Sequence, residues 1–203
     1  MKFKMLKTNI DISKINPASK VEITDLLTLN VDRTLNSIGL TNKLNDKIWF
    51  SEFDEYGIKN VVRFQLTKGF GAIFVFGKCF DFLPTISNSQ KLKNHKTLKS
   101  TTVHLFDWSD SIEVKKNLIL KKQLKISVIN KKQLSKDLQI FAKKGINEIN
   151  NWFDKNESID NCIDTCLKQI SIGNQYKLHF PNQVYVLSFL YAKIGDNEKA
   201  NFY

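Results

Sequence analysis

Residues 69–84, GFGAIFVFGKCFDFLP, alternate with a period of two. As a strand they place Phe70, Ala72, Phe74, Phe76, Lys78, Phe80 and Phe82 on one face. Gly71, Ile73, Val75, Gly77, Cys79, Asp81 and Leu83 fall on the other. So dense an aromatic file has to leave water, since burying one such ring contributes on the order of 1.5–3 kcal/mol. The segment predicts a central strand with a second layer, such as a helix, against its aromatic face. Gly69, Gly71 and Gly77 then mark a tight turn and close backbone approach. They do not form a phosphate cradle, because no helix and no GK[ST] follows.

The neighbouring segments supply the rest of a sheet. Residues 47–53 and 58–67 read as strands around a turn at Asp54-Glu55-Tyr56-Gly57, and residues 101–108 as a further strand. Short connections favour an antiparallel meander. Residues 5–12 read as a lead-in edge strand. Ser19 and Glu22 have the spacing of a capping box. Ile23, Leu26, Leu27, Val31, Leu35 and Ile38 then repeat at helical spacing up to Gly39, a natural stop. The helix over 20–38 is the expected cover for the phenylalanine face.

Leu134, Leu138, Phe141, Gly145, Ile149 and Trp152 predict a helix over 132–153. Further helices follow over 159–170 and 182–193, with a short last one after Gly195. Residues 85–100, TISNSQKLKNHKTLKS, read as a long surface loop. Residues 111–123 are expected to be helical and 125–129 a strand. The fold class is α+β: an antiparallel sheet of four to five strands covered by an N-terminal helix, followed by a helical C-terminal portion. The expected division is a sheet domain over 1–130 and a helical extension over 131–203, packed together as one unit.

The 203 residues carry a net charge of +11, yet Arg33 and Arg63 are the only arginines. Lysine gives diffuse attraction, whereas reading bases favours the planar arginine fork, which argues against a sequence-specific DNA binder. Between Lys91 and Lys136 twelve lysines meet only three acids, Asp107, Asp110 and Glu113. Lys91, Lys93, His95, Lys96 and Lys99 concentrate this charge on the loop, and Lys115, Lys116, Lys121 and Lys122 extend it. The plain alternative is a solvated lysine-rich surface. The functional reading is a docking face, for an acidic protein partner first and for nucleic acid second. Only Phe106 and Trp108 are there to stack on bases, which weighs against single strands. No membrane contact is expected, since no run of about eighteen apolar residues exists. Three cysteines and no apolar leader point to reduced thiols in the cytoplasm.

Candidate chemistry is sparse. Cys162 and Cys166 are four apart, as a metal pair would be, but they lie inside the apolar stripe of Ile159, Ile163, Leu167 and Ile170. They read as buried structural thiols, and no second ligand pair exists to complete a zinc site. Cys79 with His104 could pair a thiol with a base across neighbouring strands, but no third orienting group is visible. His104 and Asp107 fall on opposite faces of their strand. Asp81 and Asp107 read as surface or locally satisfied acids. No cofactor, no metal and no catalysis are expected.

Two resemblances add to this reading. Residues 187–203, LSFLYAKIGDNEKANFY, resemble a tetratricopeptide-type helix hairpin through Leu187, Leu190, Tyr191, Ala192, Gly195, Asp196, Glu198, Lys199, Ala200 and Tyr203. One repeat forms no solenoid, so the resemblance implies helix–turn–helix packing and no function. Residues 69–108 resemble small bacterial proteins of uncharacterised domain families, several of which are immunity proteins encoded beside toxins. That resemblance implies a non-catalytic inhibitor that blocks an acidic protein surface.

Overall fold

The computed structural model describes residues 15–86, 91–109, 113–117, 120–123, 125–173 and 180–203. The lead-in strand expected over 5–12 lies outside these residues. Ser19 forms the capping box: its Oγ accepts from the Glu22 amide at 3.2 Å while the Glu22 carboxylate accepts from the Ser19 amide at 2.9 Å. The helix then runs as α1 (Lys20–Leu27), a π-helical turn (Thr28–Asp32) and α2 (Arg33–Ser37). It ends at Gly39, whose φ of 84° is the left-handed stop expected there.

Strands β1 (Asn42–Leu44), β2 (Ile48–Phe50), β3 (Ile58–Leu66) and β4 (Gly71–Phe80) form an antiparallel meander. The free edge of β4 is shared by two later strands, both antiparallel. β7 (Leu105–Trp108) pairs with Val75 to Lys78, and β10 (Ile126–Ser127) pairs with Gly71 and Ala72. Between them the Ser109 hydroxyl accepts from the Phe74 amide at 3.0 Å, so the ladder has no orphan there. Gly77 is where β7 comes closest. A Cβ on it would press on the Leu105 carbonyl and lie 2.7 Å from the Phe106 Cα.

The phenylalanine face lies in the main core. Phe74 stacks on Phe141 with ring centroids 3.8 Å apart and meets the edge of Phe64 at 5.2 Å. Phe76 meets Trp152 and Phe153 edge-on. Ile23, Leu26, Leu27, Val31 and Leu35 of the first helix complete the same core, as its stripe predicts. Phe141, Trp152 and Phe153, however, come from the later helix: α3 (Lys131–Ile140), a π-helical turn (Phe141–Gly145) and α4 (Ile146–Lys155). Sheet and C-terminal helices therefore share one core. Phe70, at the turn into β4, stays 44% exposed.

A second core joins the end of β4 to α5 (Ile159–Ile172) and α6 (Gln183–Lys193). It holds Phe80, Leu83 and Leu105 against Cys162, Ile163, Cys166, Leu187 and Leu190. The short α7 (Asn197–Phe202) closes the chain as a helix–turn–helix with α6, capped by Asp196 on the Lys199 amide. Among the described residues, no helix is long and apolar enough to cross a membrane.

Two expectations need correction. The described residues of the segment over 111–123 are strands rather than helix: β8 (Glu113–Asn117) pairs antiparallel with β9 (Leu120–Gln123). The ladder pairs Glu113 with Gln123, Val114 with Lys122 and Lys115 with Lys121, so the backbone hydrogen bonds there are made between strands. The segment over 85–100 is not wholly loop either, since β5 (Thr85–Ile86) pairs with β6 (Leu92–Lys93).

Candidate functional site

The side of the sheet opposite the phenylalanine core is built by the second alternation of β3. Lys59, Val61 and Arg63 share that face, and the register puts Cys79 beside Lys59. Lys59 is wholly buried. A buried ammonium is costly unless its N–H groups are taken up. Lys59 Nζ donates to the carbonyls of Leu98 at 2.7 Å, Ser100 at 3.0 Å and Thr97 at 3.4 Å. It also lies 4.0 Å from the centre of the Phe53 ring. Burial holds its pKa below the ordinary lysine range, with Cys79 and Glu52 pulling the other way.

Arg63 acts alongside. Its Nη2 donates to the Thr101 carbonyl at 3.0 Å, and burial lowers its pKa too. Buried Lys59 and half-buried Arg63 thus gather the carbonyls of Thr97, Leu98, Ser100 and Thr101 and bind that stretch across β3. One of the two arginines of the chain is spent on this internal task.

Lys99 within that stretch and Lys91, Lys93 and Lys96 before it are exposed, as the sequence predicts. His95 is not. It is wholly buried, its Nε2 bonded to the Thr85 hydroxyl at 2.8 Å and its ring 4.9 Å from that of His104. The reason is the hairpin: pairing of β5 with β6 turns the chain so that His95 plugs the interior beneath the lysines. His95 is therefore no part of the exposed lysine surface and lies beneath it. The backbone of the β8–β9 hairpin places Lys115 opposite Lys121 and Val114 opposite Lys122, with Lys116 next in line.

His104 is equally buried and accepts the Phe80 amide on Nδ1 at 2.9 Å, which leaves the proton on Nε2. Burial, and then His95, push its pKa down to about 3, while burial and then Lys93 lower that of His95. Both rings are neutral in the fold. An unfolded chain would bind protons on them near pH 6.5, so stability present above that value is lost as pH falls below it. Each ring contributes at most about 1.4 kcal/mol per pH unit. The expected result is a urea midpoint that drops between pH 7 and pH 5, and a flatter profile in His104→Asn, which keeps an acceptor for the Phe80 amide. A midpoint level over that range would refute the assignment.

The other candidates fare as follows. Cys79 packs with Phe50 and Val61 and points its thiol at the Ser100 carbonyl, whereas the His104 ring stacks on Phe80. The two do not form a nucleophile–base pair, and burial pushes the Cys79 thiol up to about 12, away from the thiolate. Cys162 and Cys166 are wholly buried and bond to the carbonyls of Asn156 and Gln183, as structural thiols do. Asp107 accepts from the Trp108 amide.

Two residues that matter were not singled out from the sequence: Lys59 and Lys78. The signal was there, since each interrupts a buried file with a charge. Comparison with protein-family models, curated proteins and solved structures finds no match for this chain.

Proposed function

We propose that the protein is a non-catalytic binding protein that docks an acidic surface of a protein partner on Lys91, Lys93, Lys96 and Lys99, in the manner of an immunity-type inhibitor. The observation that carries this reading is the anchoring of residues 97–101 on Lys59 and Arg63. Free lysines on a loose loop lose much of their attraction to ordering entropy on binding. Here the backbone at Lys99 and next to Lys96 is already held, so complementary charge is recognised there at lower entropic cost.

A protein partner is favoured over nucleic acid by what the stretch lacks. Of the two arginines, Arg63 is turned inward to Thr101, and Phe106 is buried rather than offered for stacking. The localisation that suits such a partner is the cytoplasm. The test is capture of partners by the tagged native chain, with and without nuclease, beside a variant carrying Glu at positions 91, 93, 96 and 99. A protein retained after nuclease, whose dissociation constant rises at least about tenfold in the variant and steeply with salt, supports the reading. Recovery that collapses with nuclease transfers the face to nucleic acid. Binding untouched by the four substitutions removes the face altogether.

A further inference from the structure

Lys78 stands inside the aromatic file of β4, between Phe76 and Phe80, and is only 3% exposed. It lines a cleft of about 330 Å³ together with Asn60, Phe153 and the acids Glu52, Asp54, Asp154 and Glu157. Its Nζ donates to Asn60 Oδ1 at 2.7 Å and to the Phe153 carbonyl at 3.1 Å. The contrast with Lys59 is chemical. Three carbonyls match the three N–H groups of an ammonium, as at Lys59. At Lys78 two oxygens meet Nζ and the Phe153 ring lies 5.3 Å away, so the neutral amine keeps both hydrogen bonds and gains a lone pair.

We propose that this cleft is a carbonyl-capturing site in which Lys78 forms an imine with a small uncharged or cationic aldehyde. In the step, the Nζ lone pair forms a C–N bond to the carbonyl carbon and nitrogen passes a proton to the former carbonyl oxygen. A second proton transfer from nitrogen lets the hydroxyl leave as water. One aldehyde and one amine become one imine and one water, with no oxidant or reductant. The four carboxylates around the cleft disfavour anionic carbonyl compounds such as keto acids. They also favour the cationic states through which the hydroxyl departs.

Protonation supports the geometry. Burial pushes the Lys78 pKa down to about 8, against Cys162, Asp54, Asp154 and Glu157, which pull it up. At pH 7 roughly a tenth of Lys78 is then neutral, against well under a hundredth of an ordinary exposed lysine. Cys162 stays a thiol, its own pKa held at about 12 by burial. The inference rests on the cleft and is independent of the lysine-bearing loop on the other side of the sheet.

The experiment is reductive trapping on the native full chain: limiting acetaldehyde with cyanoborohydride at pH 7, followed by site-resolved mass spectrometry. The expected result is ethylation of Lys78 at least about tenfold faster than of Lys91 or Lys99, an advantage that shrinks by pH 10. Glyoxylate, an anion, should lose that preference, and Lys78→Arg should abolish the fast site while the other lysines keep their rates. The comparison within the native chain needs no variant, so a poorly folding Lys78→Arg leaves the test intact. Labelling of Lys78 no faster than the surface lysines overturns the proposal. So does an advantage that persists in concentrated guanidinium, where the cleft is gone.

Discussion

Phe74→Ala will lower the stability of the protein by about 3–5 kcal/mol, the range for emptying a fully packed aromatic site. The size follows from its surroundings. Phe74 has no exposed surface, stacks on Phe141, and meets Phe64 and Trp49 at 5.2 and 6.1 Å. Those neighbours belong to separate strands and to the C-terminal helix, so no single rotamer change can fill the space. Urea unfolding of Phe74→Ala beside Phe70→Ala checks this. Phe70, largely out in solvent at the turn, should cost under about 1 kcal/mol. Equal losses at the two positions would show that the central rings do not pack as described.

Lys59→Met is the second large effect, about 2–4 kcal/mol, because the stem remains while three carbonyls lose a charged donor. The consequence reaches beyond stability. Without the ammonium, residues 97–101 keep Arg63 alone as a cationic anchor, at Thr101. Trypsin should then cut after Lys96 and Lys99 at least about tenfold faster under native conditions, since cleavage follows local opening. Partner affinity should fall as well, although every exposed lysine is still present. That pattern separates preorganisation from charge. If affinity follows only the number of lysines while the loop opens freely, anchoring is not part of recognition.

The first of these effects traces to alternation that the sequence displays openly. The period of two in residues 69–84 and 58–67, the capping box at Ser19 and Glu22 and the helical stripes of the C-terminal third are local regularities. Each is set by the direction in which successive side chains leave the backbone. They suffice to place β3, β4 and the helices, and to bury Cys162 and Cys166. The exposed lysines of residues 91–99 were legible for the same reason, since so polar a stretch has little to bury.

His95, Lys59 and Lys78 were not legible in this way. A histidine in a lysine-rich stretch looks like its neighbours until β5 pairs with β6 and turns it inward. A lysine on a strand looks like a surface residue until a loop some forty residues later offers its carbonyls, as Leu98 does for Lys59 at a separation of 39. The pairing of β8 with β9 escaped because neither short strand alternates apolar and polar residues.

Local steric and hydrophobic periodicity thus determined the elements of this protein and which faces they bury. Tertiary structure alone decided which charges go inside, because the free energy of a buried ammonium depends on acceptors from distant parts of the chain. Three carbonyls from residues 97–100 take up the Lys59 ammonium, and Asn60 Oδ1 with the Phe153 carbonyl take up Lys78 at its cleft.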